Sequence, residues 1–314
     1  MPPKEKGASR QEKVMGVAPE GYEFYRYNPN IGGAVVFVIA FGAATAYHGW
    51  RAWSYRAKFF IAFVLGGLLE TIGYIGRAAS HNNVTEIGPY VVQNMFLLVA
   101  PALFAATIYM VLGRIIRLLH AEHHSVIKVT RLTKYFVVGD ICCFWAQGQG
   151  GGLQAVGKPL FTTIGRWVVV GGLVLQVLLF GLFIVVAWKF HTRINRRPTI
   201  ESSSPALMWR KHMRALYITS GLILTRNIVR MIEYLQGFDG WIISHEAMLF
   251  IFDSVPMILV FVVVGIWHPC DLLLGNTSHA ILLDPVSDNA NLMDGQVVKG
   301  GPTAQNQVRP LGDR

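Results

Sequence analysis

The sequence predicts an all-α integral membrane protein, a seven transmembrane helix bundle with its N-terminus outside and its C-terminus cytosolic. Three observations lead there. Charged residues make up 15% of the chain and hydrophobic ones 53%, against roughly 25% and 45–50% in soluble domains. Seven separate apolar stretches occur, each near the length of about 20 residues that crosses roughly 30 Å of hydrocarbon. Basic residues fill alternate loops between them, the pattern that fixes orientation in a bilayer.

The stretches lie near 31–50, 59–77, 91–112, 136–154, 166–188, 216–236 and 247–267. The fourth is rich in Gly and Gln, and the sixth contains Arg226 and Arg230, so both rest partly on the loop pattern. Loops after the first, third and fifth carry the charge: Arg51, Arg56 and Lys58; Arg114, Arg117, Lys128, Arg131 and Lys134; then a run from Lys189 to Arg214. The intervening loops offer only Arg77 and Lys158. Retention of Lys and Arg on the cytosolic side then puts the N-terminus outside.

Residues 1–30 read as a polar extracellular segment without a cleavable signal, 31–268 as the transmembrane domain, and 269–314 as a disordered cytosolic tail. Asn83-Val84-Thr85 in an outer loop is a glycosylation pattern, whereas Asn276-Thr277-Ser278 falls in the tail. Cys142, Cys143 and Cys270 form no disulfide framework. Cys270, at the cytosolic boundary, is either a palmitoylation target or a plain interfacial thiol. The net charge of +10 sits in short runs between apolar stretches, which excludes the basic face of a nucleic-acid binder.

Ionisable groups inside a span are costly unless paired or wetted, so each is a candidate functional residue. In the sixth stretch Arg226, Arg230 and Glu233 stand at i, i+4 and i+7, on one helical face. Arg230 can pair with Glu233, leaving one arginine in need of Asp253 or Asp140. Glu246 and Asp253 are seven apart in the last stretch; Glu70, Tyr74 and Arg77 repeat the spacing in the second. Asp140, Gln147 and Gln154 do so in the fourth, while Gln93 and Asn94 mark the third and Gln176 the fifth. Together these groups are expected to line one polar interior. Pro101 and Pro256 can kink their helices and free carbonyls that need internal partners. The glycines at 148 and 150–152 either admit a close neighbour or unwind the outer end of their helix.

Two tempting motifs fail. Gly152 to Pro159 begins like a phosphate-binding loop but puts Pro where Ser or Thr would hold magnesium, and no strand precedes it. No ATP-driven module and no cofactor is expected. For a metal, His48, His245 and His268 read as lying at three different membrane edges with no close-spaced pair. Neither a metal site nor a catalytic residue is nominated, and the chain is not expected to be an enzyme.

The chain resembles one family through most of its membrane part, the fungal RTA-like proteins, also called lipid-translocating exporters. Tyr27-Asn28-Pro29, His48, Glu70-x-x-Gly73-Tyr74-x-x-Arg77, Gln93 and Ala100-Pro101-Ala102-Leu103 carry the resemblance. So do Ala106-x-x-Tyr109-Met110-x-x-Gly113-Arg114, Asp140, Gln147-Gly148, Arg226-x-x-x-Arg230-x-x-Glu233, Glu246, Asp253, Met257 and His268-Pro269. Residues 25–270 are covered, and Cys270 stands where the family would have Gly. The resemblance implies transbilayer movement or export of lipids and amphiphiles: sphingoid long-chain bases, a sterol-like toxic amine, and porphyrins for some relatives. It assigns no residue roles, so the candidates rest on the membrane-charge argument.

The expected function is therefore a lipid or amphiphile translocase in the plasma membrane. Its partners are membrane lipids or amphiphilic small molecules, with a second copy of the chain and a cytosolic protein at the basic inner loops left open. A cationic head group would need one of Glu233, Asp253, Asp140 or Glu70 to receive it. The alternative is a seven-span receptor or sensor; short outer loops without a disulfide, and no receptor-like motif after the third span, speak against it.

Overall fold

The computed structural model describes residues 30–81, 87–125, 127–155, 158–203, 208–236 and 246–271. The chain divides into Met1–Leu272 and Leu273–Arg314, and every described residue belongs to the first unit. The expectations placed on the two tails, on Asn83, on Asn276 and on His245 lie outside the described residues.

Among these residues all regular structure is helical. Helix α1 is Ile31–Ser54, opened by Asn30, whose side chain accepts from the backbone of Gly32 and Gly33 at 2.9 and 3.3 Å, which satisfies two of the helix's free N–H groups. It ends before Arg56, which has a φ of 48°. A 3-10 turn, Lys58–Phe60, leads into α2, Ile61–Ser80. Then come α3, Ile87–Leu118, and α4, Val129–Ala155. Helix α5, Pro159–Arg196, is 38 residues long, or about 57 Å at ~1.5 Å per residue, so it outreaches the hydrocarbon layer. A single turn, Ile200–Ser203, precedes α6, Trp209–Gln236. Helix α7 runs through Glu246–Leu249, a π-helical turn Phe250–Ser254, and Val255–Ile266.

Among the described residues, five helical segments are long and apolar enough to cross a membrane: Ile31–Ser54, Lys58–Ser80, Val91–Leu118, Leu160–Arg196 and Ala247–Ile266. The two long helices that fall short, α4 and α6, are the two whose stretches carry Gly, Gln and Arg. The outward faces are apolar, with Trp50, Trp53, Trp167 and Trp188 all exposed, as lipid and its interfaces require. This is a multi-pass membrane protein.

Each helix packs on its neighbour in sequence, α7 closes back onto α1, and α3 also meets α6. The C-terminal ends of α1, α3, α5 and α7 gather at one end, here called the basic end. Arg51 pairs there with Asp271 at 3.0 Å, Arg193 donates to the His124 carbonyl at 3.2 Å, and Thr199 donates to that of Leu119 at 2.9 Å. The core is aromatic: Phe41, Phe60, Phe63, Tyr74, Phe104 and Tyr109 are completely or almost completely buried.

The glycine-rich end of α4 remains helical. A Cβ on Gly165 would stand 2.4 Å from the Gly150 carbonyl, and one on Gly150 would stand 2.7 Å from that of Gly165. Backbone meets backbone there, so no rotamer change can relieve an added side chain. Gly165→Val is expected to lower stability by about 1–3 kcal/mol, seen as a drop in thermal midpoint of the detergent-solubilised protein. An unchanged midpoint would show that α4 and α5 do not touch there.

Candidate functional site

The site grows from the polar face of α6. Arg226 and Arg230 converge on Asp253: Arg226 Nε approaches Asp253 Oδ1 to 2.5 Å, and Arg230 Nη2 donates to Asp253 Oδ2 at 2.9 Å. The shorter approach is a charge contact without hydrogen-bond alignment. Arg230 Nη1 also donates to Glu233 Oε2 at 3.1 Å. Arg226 donates its remaining Nη2 to the Leu97 carbonyl on α3. That acceptor has a cause in the sequence. Pro101 lies four residues on within α3 and has no N–H to offer it, so the proline creates the carbonyl vacancy that the arginine fills.

Asp253 sits in the π-helical turn of α7, just ahead of Pro256, which likewise offers no N–H. Its neighbour Ser254 hydrogen-bonds the Tyr74 hydroxyl on α2. Tyr74 stacks on Phe37 and Phe41, and the Arg77 guanidinium lies 5.3 Å from the Phe250 ring centre. Glu70, one turn before Tyr74, is buried within electrostatic range of Arg226, Asp253 and Arg230. Its Oε1 has no hydrogen-bond partner among the described residues. Among the described residues, three arginines and three carboxylates thus share one locality, equal in number. Exposure is graded across it: the Arg230 and Glu233 side chains are 11% and 17% exposed, whereas Arg226 is at 2%.

Of the sequence candidates, Glu70, Tyr74, Arg77, Arg226, Arg230, Glu233 and Asp253 come together, with Gln93 buried on α3 where α2 and α3 meet at Gly73. Asp253 takes both arginines, so Asp140 is not their partner. Asp140 instead accepts from the Tyr109 hydroxyl at 2.9 Å among Phe136, Phe180 and Phe183. Gln147 donates to Gln176 at 3.0 Å across the α4–α5 seam. The expected single polar interior is therefore observed as separate groups, with the Tyr109–Asp140 pair held among rings that pack on Tyr109. Glu246 opens α7, but its side chain lies outside the described residues; the π turn also breaks the α-helical register assumed between it and Asp253.

The histidine expectation needs correction. His48 and His268 do not lie at different edges: their rings stack 5.3 Å apart beside Phe60, because α1 and α7 end side by side. His48 Nε2 donates to the Phe261 carbonyl at 3.1 Å, and His268 Nδ1 accepts from the Cys270 amide at 3.2 Å. Sequence reasoning also passed over Ser254, although a serine beside Asp253 in an apolar run was a signal. It missed Arg166 too, which donates to the Tyr234 carbonyl at 3.2 Å and to that of Leu235, capping the free carbonyls at the end of α6.

Cys270 is fully buried, and desolvation pushes its thiol up to about 11. This favours the plain interfacial thiol. At pH 8 it holds on the order of a hundredfold less thiolate than an ordinary cysteine. Iodoacetamide should label it correspondingly slowly in the folded protein, and rapid labelling by mass spectrometry would mean that the turn after α7 is open.

A helical bundle whose interior holds an arginine–carboxylate network is the architecture of a polytopic membrane protein with a polar intramembrane site. Comparison with known proteins makes the assignment narrower. A model of the family described as "RTA1 like protein" matches residues 63–276, and the chain belongs to that family. It is 35% identical to protoporphyrin uptake protein 1 of Saccharomyces cerevisiae, over 79% of this chain and 92% of that one. It is 34% identical to protein RTA1 of the same yeast, over 79% and 86% of the two chains. The sphingoid long-chain base transporter RSB1 of S. cerevisiae is 27% identical, over 77% of this chain and 72% of its own. No solved structure matches the chain.

Proposed function

We propose that the protein is a translocase for lipids or amphiphiles with a cationic head group, working through the Arg226–Asp253–Arg230–Glu233 network with Glu70 beside it. Family membership supports a membrane transport or lipid-related role, and the name of one relative, a sphingoid long-chain base transporter, points to a cationic amphiphile. All seven long helices span the bilayer in this reading, α4 and α6 being carried by their neighbours. The basic end faces the cytosol, and the plasma membrane is the expected location.

The observation that carries the proposal is the distribution of partners. Asp253 and Glu233 are already occupied by arginine, whereas Glu70 Oε1 has no hydrogen-bond partner among the described residues. An ammonium entering at the more exposed Glu233 would displace Arg230 and then exchange inward to Glu70. Because the displaced guanidinium keeps its charge, each step requires that it reach water or a lipid phosphate, or that a proton leave the network.

The test uses purified protein in liposomes carrying fluorescent sphingoid-base and phospholipid analogues, with leaflet exchange followed with and without a pH gradient. Protein-dependent exchange that is lost in Glu233→Gln, and in Asp253→Asn where that variant is shown to be folded, supports the proposal. If no analogue moves where the protein is demonstrably folded, the receptor reading replaces it.

A further inference from the structure

Helix α5 carries its connection to α6 clear of the bilayer. Trp188 is exposed, as at a membrane interface. The helix runs on from there to Arg196, about 12 Å at ~1.5 Å per residue. That exceeds the head-group layer, roughly 5–8 Å on each side of the hydrocarbon. Arg196, Arg197 and Pro198 are exposed there, and Ile200 is 90% exposed. Arg197 has left the helix, with φ −133° and ψ 80°, because the proline after it disfavours helical backbone.

Thr199 sits half-buried in the middle of this run and does structural work. Its hydroxyl donates to the Leu119 carbonyl at 2.9 Å, a group just past the end of α3, and accepts from the Ser202 amide at 3.2 Å. The Thr199 carbonyl accepts from Ser202 Oγ at 2.8 Å, and Trp209 Nε1, at the start of α6, donates to the Ser202 carbonyl at 3.1 Å. One hydroxyl therefore fastens the α5–α6 connection to α3. Beside it, Arg193 donates to the His124 carbonyl at 3.2 Å, and Arg193 and Arg197 lie within electrostatic range of the His124 ring. None of Arg193, Arg196 and Arg197 forms an ion pair with a described carboxylate.

Two exposed arginines stand three and two residues before a hydroxyl, and an exposed apolar side chain stands directly after it. Such a segment complements the peptide groove of a Ser/Thr kinase whose walls carry carboxylates. We propose that Thr199 is the phosphorylation site of a cytosolic kinase of this basic-directed class, and that its phosphate releases the α5–α6 connection from α3. The γ-phosphoryl group of ATP passes to Thr199 Oγ1: the bond from the γ-phosphorus to the ADP oxygen breaks, the Oγ1–P bond forms, and the hydroxyl proton goes to the catalytic Asp of the kinase. The product has no hydrogen left to donate to Leu119, and its negative charge repels that carbonyl. Arg193 and Arg197 supply cations for the displaced phosphate, so the released form has charge partners of its own. The inference rests on the proposed cytosolic placement of the basic end and is independent of translocation.

The test incubates the full chain in detergent with cyclic-AMP-dependent protein kinase and magnesium ATP. Phosphate is expected on Thr199, located by tandem mass spectrometry; Thr199→Ser should keep the site and Thr199→Val should lose it. The double variant Arg196→Gln/Arg197→Gln leaves the tie to Leu119 in place and should lower incorporation about tenfold or more. In the phosphorylated protein the Ser202 amide should exchange with deuterium about tenfold faster or more. Each variant is checked for monodispersity and helicity, and the arginine pair carries the test if Thr199→Val does not fold. Orientation is read separately: Ser203→Cys in yeast cells should take an impermeant maleimide only after permeabilisation. An unmodified Thr199, or incorporation indifferent to the two arginines, would overturn the site. Unchanged Ser202 exchange would overturn the release, and labelling of intact cells would put Thr199 out of reach of any cytosolic kinase.

Discussion

Asp253→Ala is expected to cost about 3–5 kcal/mol, enough to leave little folded protein, because it strips two buried arginines of their shared carboxylate. Arg230 would retain its ion pair with Glu233, but Arg226 would keep only the Leu97 carbonyl, which carries no charge to neutralise its guanidinium. Removal of one arginine together with the acid should be milder than removal of the acid alone. The double variant Arg226→Gln/Asp253→Asn is therefore predicted to be more stable than Asp253→Asn, and a double-mutant cycle on thermal midpoints measures the coupling. If Asp253→Ala unfolds no more readily than an ordinary surface variant, the three side chains do not meet in the membrane-embedded protein.

Glu70→Gln makes the opposite prediction. Its Oε1 accepts no hydrogen bond, so an amide in its place forfeits little; stability should change by less than about 1 kcal/mol, the range of a variant without a named structural loss. Leaflet exchange of a cationic analogue should nevertheless fall at least tenfold, since the amide cannot neutralise an ammonium inside the bilayer. The contrast between the two carboxylates is the informative part. A loss of fold in Glu70→Gln would make Glu70 one more structural counter-ion, and full exchange activity in a folded Glu70→Gln would remove it from the translocation path.

Much of this was legible in the sequence, and the reasons differ by element. The helical spacing of Arg226, Arg230 and Glu233 correctly put them on one face, since local periodicity survives wherever the backbone is a regular α-helix. The same logic carried Glu70, Tyr74 and Arg77 to one side of α2. The seven-residue spacing of Glu246 and Asp253 does not amount to two α-helical turns, because the π turn Phe250–Ser254 interrupts the period. Pro101 announced a freed carbonyl, but nothing local said that Arg226, far along the chain, would fill it. Asp140 looked like its acidic peers; what sets it apart is Tyr109 from α3, packed on Phe180 and Phe183 from α5 as well as on Phe136 of its own helix. The stacking of His48 on His268 depends on how α1 and α7 terminate, which periodicity does not encode.

The touching backbones of Gly150 and Gly165 bear on mechanics. Most helix pairs slide past each other on a compliant layer of side chains, which rotate to absorb small shears. Between these two residues there is no such layer, and a displacement of α4 along α5 would drive one main chain into the other. The pair is thereby locked into a single stiff strut, whose two helices must tilt or translate together whenever the rest of the bundle rearranges.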